Sequence, residues 1–118
     1  MQKKLLPNLK SLNFSENYNN KFLCISFIVI DDGSIDLELS ETVQIKIRKN
    51  HFCFATLLKK ETLSPEEAIL RGYNFLDRNL NEKDFLSLWK INKDLQVFYF
   101  QKVTQLELFD DNTKFELS

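Results

Sequence analysis

Apolar and polar residues alternate along much of the first sixty positions, and this period of two is typical of β-strands. In residues 43–49 it places Val43, Ile45 and Ile47 on one side of a strand and polar residues on the other. Residues 21–30 are mostly β-branched or aromatic, which is typical of a central strand. Strands are predicted at residues 21–30, 35–39, 43–49, 52–58 and 95–103. Hairpin turns are predicted at residues 31–34, around Gly33, and at residues 50–51.

Two short helices are predicted between the fourth and fifth strands. Ser64 and Glu67 form a capping box, in which each side chain can bond to the other residue's backbone N–H. Gly72 is expected to end this first helix, so that Phe75 turns back toward the core. Asn81 is the predicted N-cap of the second helix, which ends near residue 92, before the last strand begins.

This order of elements predicts an α+β fold: a small, mainly antiparallel curved sheet or β-barrel with two short helices inserted before the last strands. The length of 118 residues is typical of one domain, so residues 1–118 are assigned to a single domain. Residues 1–20 are expected to be an irregular lead-in, and residues 106–118 to add a possible edge strand. The side chains expected to be buried are Ile25, Phe27, Ile47, Phe85, Trp89, Phe98 and Phe100.

Composition excludes several classes of function. With two glycines and one histidine, the sequence has no phosphate-binding loop and no recognisable metal motif, so no cofactor and no metal are expected. No apolar run reaches the ~20 residues of a membrane span, and no signal peptide is recognised. Cys24 and Cys53 lie in apolar strand patterns and are expected to be reduced, buried thiols of a cytoplasmic protein.

Two groupings of side chains have catalytic potential. His51 and Cys53 would point the same way in a strand, and Asp36 and Glu38 would share a strand face. The better interpretations are a turn histidine beside an apolar cysteine and a solvated hairpin face. The sequence therefore favours a protein without enzymatic activity but does not decide the question.

Positive charge is concentrated in one stretch of a chain whose net charge is −1. Residues 42–60 hold five basic residues and no acid. Basic side chains with aromatic residues among them on a sheet are typical of single-stranded nucleic-acid binding, since phosphates contact the charges and bases stack on the rings. The candidate nucleic-acid-binding residues are Lys46, Arg48, Lys49, Phe52 and Lys59. The alternative is a solvated outer face with Phe52 and Phe54 in the core.

The helical region and its flanking strands, mainly residues 43–103, carry a family resemblance. The features are the run Thr62, Ser64, Glu66, Glu67, Ala68, Gly72, Tyr73, then Glu82, Asp84, Phe85, Leu88, Trp89, and a closing strand at residues 97–103. This pattern resembles the C-terminal half of ASCH domains, which belong to the PUA-like superfamily. The resemblance implies a small β-barrel with packed helices and a groove for RNA or a nucleotide-like ligand. Some relatives are similar to amidohydrolases of acetylated pyrimidines, but the family's G-x-K-x-x-E-x-R motif is absent here, so no catalytic residue is assigned.

Two functions from different classes follow. The first is a module of ASCH/PUA-like form that binds nucleic acid, either RNA or another single strand, or a nucleotide. The second is a small protein-interaction module without catalytic activity, such as an inhibitor, immunity-type or accessory protein, with a protein partner. Its binding surface would be acidic and helical: Glu66, Glu67, Asp77, Glu82 and Asp84.

Overall fold

The computed structural model describes residues 9–89 and 93–103 as an α+β fold built on one open, five-stranded mixed sheet. The strands are β1 (Lys10–Phe14), β2 (Ser26–Asp31), β3 (Thr42–Ile47), β4 (Asn50–Leu63) and β5 (Leu95–Val103). The strand order is β1-β3-β4-β5-β2, in which β1 and β3 are parallel and the other pairs are antiparallel. The predicted fold class is confirmed. The sheet is open rather than closed into a barrel, with β1 and β2 at its edges.

The N-terminal part of the chain is more regular than the sequence indicates. The prediction of an irregular lead-in is wrong for β1, where Leu12 and Phe14 pair with Ile45 and Ile47 of β3. The strand predicted from residue 21 begins only at Ser26, because a 3₁₀ helix occupies Tyr18–Leu23. Ile25, predicted to be buried, consequently lies outside the strand and is 70% exposed.

Two predicted turns differ from those observed. The Asp31 carboxylate accepts hydrogen bonds from the N–H groups of Gly33 and Ile35, at 2.8 Å each, and the chain then leaves the sheet instead of forming the predicted strand at 35–39. Between β3 and β4, the turn lies at Arg48 and Lys49 rather than at residues 50–51. Both residues have a positive φ, 53° and 70°. A two-residue hairpin turn of this conformation matches the right-handed twist of the two strands that it joins.

The described residues form three α-helices where the sequence predicts two: α1 (Pro65–Leu70), α2 (Tyr73–Arg78) and α3 (Glu82–Leu88). The capping box at Ser64 and the Asn81 N-cap are both confirmed. Gly72 ends α1 as predicted, with φ 77°, but α2 follows at once. Helix α2 reverses the usual pattern, since Asn74 and Asp77 are buried whereas Phe75 is 53% exposed. The expected return of Phe75 to the core is therefore wrong.

The two sides of the sheet carry separate hydrophobic cores. The strand core contains Phe14, Phe22, Phe27, Val29, Leu37, Val43, Ile45, Cys53, Ala55, Leu57, Phe98 and Phe100. The helix core contains Ile28, Ile30, Leu63, Ala68, Phe85, Trp89, Leu95 and Val97. Burial is confirmed for Phe27, Phe85, Trp89, Phe98 and Phe100, while Ile47 is partly buried.

The cysteines and the helices complete the comparison with the sequence. Cys53 is buried as expected, and burial raises the pKa of its thiol. Cys24 is exposed, contrary to expectation, because the strand starts after it. No helix among the described residues is long and apolar enough to cross a membrane. The expected edge strand at residues 106–118 lies outside the described residues.

Candidate nucleic-acid interface

Within residues 9–89 and 93–103, helices cover only one end of the sheet side that carries the helix core. In β5, Leu95 and Val97 are buried on this side, whereas Gln101, in alternation with them, is exposed. We call the uncovered end the open sheet face. It consists of Gln44, Lys46, His51, Phe54, Thr56 and Gln101, whose register pairs are Gln44–Phe54, Lys46–His51 and Thr56–Gln101. Directly paired residues in antiparallel strands project from the same side of a sheet, so these six side chains share one surface.

Close contacts fix the side chains of the open sheet face. The His51 ring lies 4.7 Å from the Phe54 ring, centroid to centroid. The Gln44 amide nitrogen lies 2.7 Å from His51 Nδ1, and donating to it would leave the imidazole N–H on Nε2. Phe54 is only half-buried. The face therefore presents an aromatic pair that polar side chains hold in place.

A β-bulge decides which phenylalanine joins this face. Ile45 pairs with Cys53 and the next residue, Lys46, pairs with His51, so Phe52 is the extra residue in β4. Phe52 packs against the strand core, 6.4 Å from the Phe22 ring. Of the candidate residues, Lys46 thus lies on the open sheet face and Phe52 packs on the other side of the sheet. The sequence pattern does not assign Phe54 to this face, because the bulge breaks the alternation of β4.

The other basic candidates lie at two separate places: Arg48 and Lys49 at the β3–β4 turn, and Lys59 further along β4. Arg48 and Lys49 occupy the exposed β3–β4 turn, where Arg48 Nε donates to the Ser15 carbonyl at 3.1 Å. Lys59 follows a second bulge in β4 and pairs with Tyr99. Its ammonium group lies 5.1 Å from the Tyr99 ring centroid. Lys59 is therefore separated from Lys46 along β4, and the structure does not gather all the candidate basic residues into one cluster.

An apolar pocket of about 380 Å³ lies beside the open sheet face. Its lining includes Leu58, the extra residue of the second bulge, Leu76 of α2, and Tyr99. The pocket also includes Ser26, which pairs with Gln101 of the open sheet face. The surface consequently runs from the open strands into a concave site beside the helices.

Lys21, which lines the same pocket, forms a buried ion pair with Asp77. Lys21 Nζ donates to Asp77 Oδ1 at 2.6 Å and to the Ile28 carbonyl at 2.7 Å, and both charged residues are almost fully buried. Burial lowers the pKa of Lys21, and the Asp77 carboxylate partly offsets this effect. The predicted placement of Asp77 on an exposed acidic surface is wrong, and the sequence gives no signal for Lys21, because the two residues meet only when α2 packs beside the 3₁₀ helix.

A hydrogen-bonded network borders the pocket at Tyr99. The Tyr99 hydroxyl donates to Glu61 Oε1 at 2.6 Å and lies 2.9 Å from the Tyr73 hydroxyl, while Arg71 donates to the same Glu61 oxygen at 2.9 Å. Burial, together with the hydrogen bonds to Glu61 and Tyr73, raises the pKa of Tyr99 far above its ordinary value. The hydrogen bond from Tyr99 lowers the pKa of Glu61. The network thus fixes the orientation of the Tyr99 ring.

No group of three or more metal-binding side chains is found among the described residues.

Neither a protein-family model nor a curated protein matches the sequence. The structure is similar to the crystal structure of a mutant of ZmASCH from Zymomonas mobilis, with a TM-score of 0.61 and 16% identity over 89% of this chain and 81% of that chain. The ASCH-like fold implied by the sequence resemblance is confirmed.

Proposed function

We propose that this protein binds single-stranded nucleic acid, RNA or DNA, across the open sheet face. The observation that carries the proposal is the juxtaposition of the His51–Phe54 aromatic pair with Lys46 on one side of the sheet, where His51 is exposed and Lys46 and Phe54 are half-buried. Aromatic rings on a sheet accept stacked bases irrespective of sequence, and adjacent cations contact the phosphates. The ASCH-like fold supports the same class of ligand through the family resemblance.

Each candidate residue receives a role in this proposal. Phe54 and His51 stack on bases, and Lys46 contacts the phosphate between them. Arg48 and Lys49 contact phosphates at the turn, and Lys59 does so at the pocket end. Phe52 supports the bulge from the strand core and takes no part in stacking.

The pocket provides a place for one base beyond the open strands. Its volume of about 380 Å³ lies within the range of small-ligand sites, roughly 300–1,000 Å³. The apolar side chains of Leu58 and Leu76 and the oriented Tyr99 ring form its walls, and Lys21 and Ser26 supply polar groups. A mononucleotide would bind only in this pocket and not on the open sheet face. Nucleotide binding would therefore use part of the same interface.

Fluorescence anisotropy with labelled mixed-sequence 12-nucleotide RNA and DNA in low-salt buffer tests the proposal. Lys46→Glu should weaken binding and reduce the salt slope by about 0.7 for one lost phosphate contact. Phe54→Ala should weaken binding by about fivefold to 150-fold, since stacking of a base contributes ~1–3 kcal/mol. Lys83→Glu and Phe75→Ala are matched controls, because both side chains are exposed on helices away from the open sheet face.

Two outcomes contradict the proposal. One is the absence of binding by the wild-type protein to both oligonucleotides at low salt. The other is equal weakening by the control and test variants, which would indicate diffuse electrostatic attraction. Competition by the four nucleoside monophosphates distinguishes binding in the pocket from binding on the open sheet face. A mononucleotide in the pocket should displace only the part of the oligonucleotide that lies there.

A further inference from the structure

A second groove lies on the helical side of the molecule, apart from the open sheet face. It has a volume of about 490 Å³ and runs beside α3. We call it the α3 groove. Its lining includes Glu16, Tyr18, Arg78, Leu80, Asp84 and Leu88. A smaller pocket of about 140 Å³, which contains Trp89, adjoins it through the shared side chain of Leu88.

The positive and negative side chains of the α3 groove differ in how far they are already paired within the protein. The Arg78 guanidinium carbon lies 5.2 Å from the Tyr18 ring centroid and 5.5 Å from the Trp89 ring centroid. Arg78 Nε also lies 3.4 Å from Asp77 Oδ2, so this carboxylate, which Lys21 shares, balances part of the Arg78 charge. Glu16 and Asp84 are exposed, and neither forms an ion pair with another described residue. The charged lining of the α3 groove is therefore two carboxylates that are unpaired among the described residues and one partly balanced cation, and its sum is negative.

Two side chains, one in the α3 groove and one in the adjoining smaller pocket, lack partners within the described part of the chain. Leu88 is 44% exposed between the two pockets. Trp89 is 8% exposed, and its indole N–H has no acceptor among the described residues. A buried donor without an acceptor is destabilising, and a ligand oxygen would relieve that cost.

We propose that the α3 groove binds a short segment of a partner protein in which a lysine or arginine neighbours an apolar side chain. The basic side chain pairs with Glu16 and Asp84. The apolar side chain packs on Leu80 and Leu88, and backbone carbonyls accept hydrogen bonds from Arg78 and from Trp89. A peptide is the ligand that offers a cation, an apolar side chain and carbonyl oxygens within a few residues. Nucleic acid is disfavoured, since its phosphates would face two carboxylates. The inference is independent of the function proposed for the open sheet face.

The test uses the full chain and the single tryptophan as a reporter, because the indole N–H of Trp89 gives one resonance in a proton–nitrogen NMR spectrum. The probe is a capped hexapeptide of alternating leucine and lysine. Matched peptides alternate glycine with lysine and leucine with glutamate. We expect the leucine–lysine peptide to shift the Trp89 resonance saturably and each matched peptide to bind at least about tenfold more weakly.

Charge-reversal variants provide the second part of the peptide-binding test. The variant Glu16→Lys with Asp84→Lys should lose the leucine–lysine peptide and gain the leucine–glutamate peptide. The control Asp36→Lys with Glu66→Lys makes the same change of charge at exposed residues elsewhere and should keep the original preference. Lys46→Glu should leave peptide binding unchanged, which separates this site from the nucleic-acid interface.

Several results would overturn the proposal. Equal binding of the glycine–lysine peptide would indicate charge attraction without a groove. An unmoved Trp89 resonance at millimolar peptide would show that the groove does not bind a peptide of this kind, and an unaltered preference after charge reversal would remove Glu16 and Asp84 from the site. If an oligonucleotide rather than a peptide shifts the resonance, the groove belongs to the nucleic-acid interface.

Discussion

The buried ion pair between Lys21 and Asp77 yields a prediction with a distinctive dependence on pH. Asp77 Oδ1 accepts from Lys21 Nζ at 2.6 Å and from the Ile30 N–H at 3.3 Å. The substitution Asp77→Asn keeps the oxygen that accepts from Lys21, removes the negative charge and replaces Oδ2, which lies 3.4 Å from Arg78 Nε, by an NH2 group. Lys21 must then either remain charged without a counter-charge, while nearly fully buried, or lose its proton.

Breaking a buried pair by removing one partner costs ~3–5 kcal/mol. We expect about 3 kcal/mol at pH 7, the lower end of that range, because the amide oxygen continues to accept hydrogen bonds. With a urea m-value of ~1–3 kcal/mol/M, this loss moves the unfolding midpoint down by about 1 M or more.

The loss should shrink as pH rises. Burial lowers the pKa of Lys21 from its ordinary value of 10.5, and the Asp77 carboxylate opposes that lowering, so Asp77→Asn lowers the pKa further. Between the folded-state pKa and 10.5, the unfolded chain binds a proton that the folded protein does not. Stability therefore rises with pH across this window, and the window is wider in the variant.

Urea unfolding of wild type and variant at pH 7 and pH 10 measures the effect, with Asp36→Asn as the control because its carboxyl is exposed. In a Lys21→Met background, Asp77→Asn should cost much less, since the buried Lys21 cation is absent and only Arg78, whose side chain is 28% exposed, loses a neighbouring carboxylate. A loss that is identical at both pH values, or undiminished in the Lys21→Met background, would refute the reasoning.

Three further predictions concern the helices and the Tyr99 network. Ser64→Ala removes the side chain that accepts from the Glu67 N–H at 3.1 Å and should cost about 0.5–2 kcal/mol in chemical denaturation, and an unchanged midpoint would contradict a stabilising cap. Trp89→Ala removes a buried side chain of the helix core and should cost about 3–5 kcal/mol; native emission like that of free indole would oppose this burial. Tyr99→Phe removes the principal cause of the lowered pKa of Glu61, so an NMR titration should find that pKa nearer its ordinary value, and an unmoved titration would refute the assignment.

Local chemistry explains which elements the sequence predicts well. The helix starts at Ser64 and Asn81 depend on side chains that bond to backbone groups three residues away, so a short stretch of sequence specifies them. The last strand, β5, is also found where its β-branched and aromatic residues predict it. The α+β class follows from the order of such elements and required no knowledge of their packing.

Helix α2 shows where local patterns mislead. Its buried residues are polar and Phe75 is exposed, so hydrophobic periodicity does not identify the helix or its orientation. Asp77 is buried because it meets Lys21, 56 positions earlier in the chain, and the Ile30 N–H. A pairing over that distance is determined by tertiary packing.

The candidate nucleic-acid interface divides in the same way. The sequence by itself identified the basic stretch and placed Lys46 opposite Ile45 and Ile47, because alternation in a regular strand is a local property. Only the tertiary structure decided that Phe54 joins Lys46 while Phe52 packs in the strand core, since the bulge opposite Ile45 and Lys46 shifts the register by one residue. A register shift of one residue moves each following side chain of a strand to the opposite face of the sheet. The bulge that causes the shift arises from the pairing of β3 with β4, so the sequence pattern of β4 alone does not specify it.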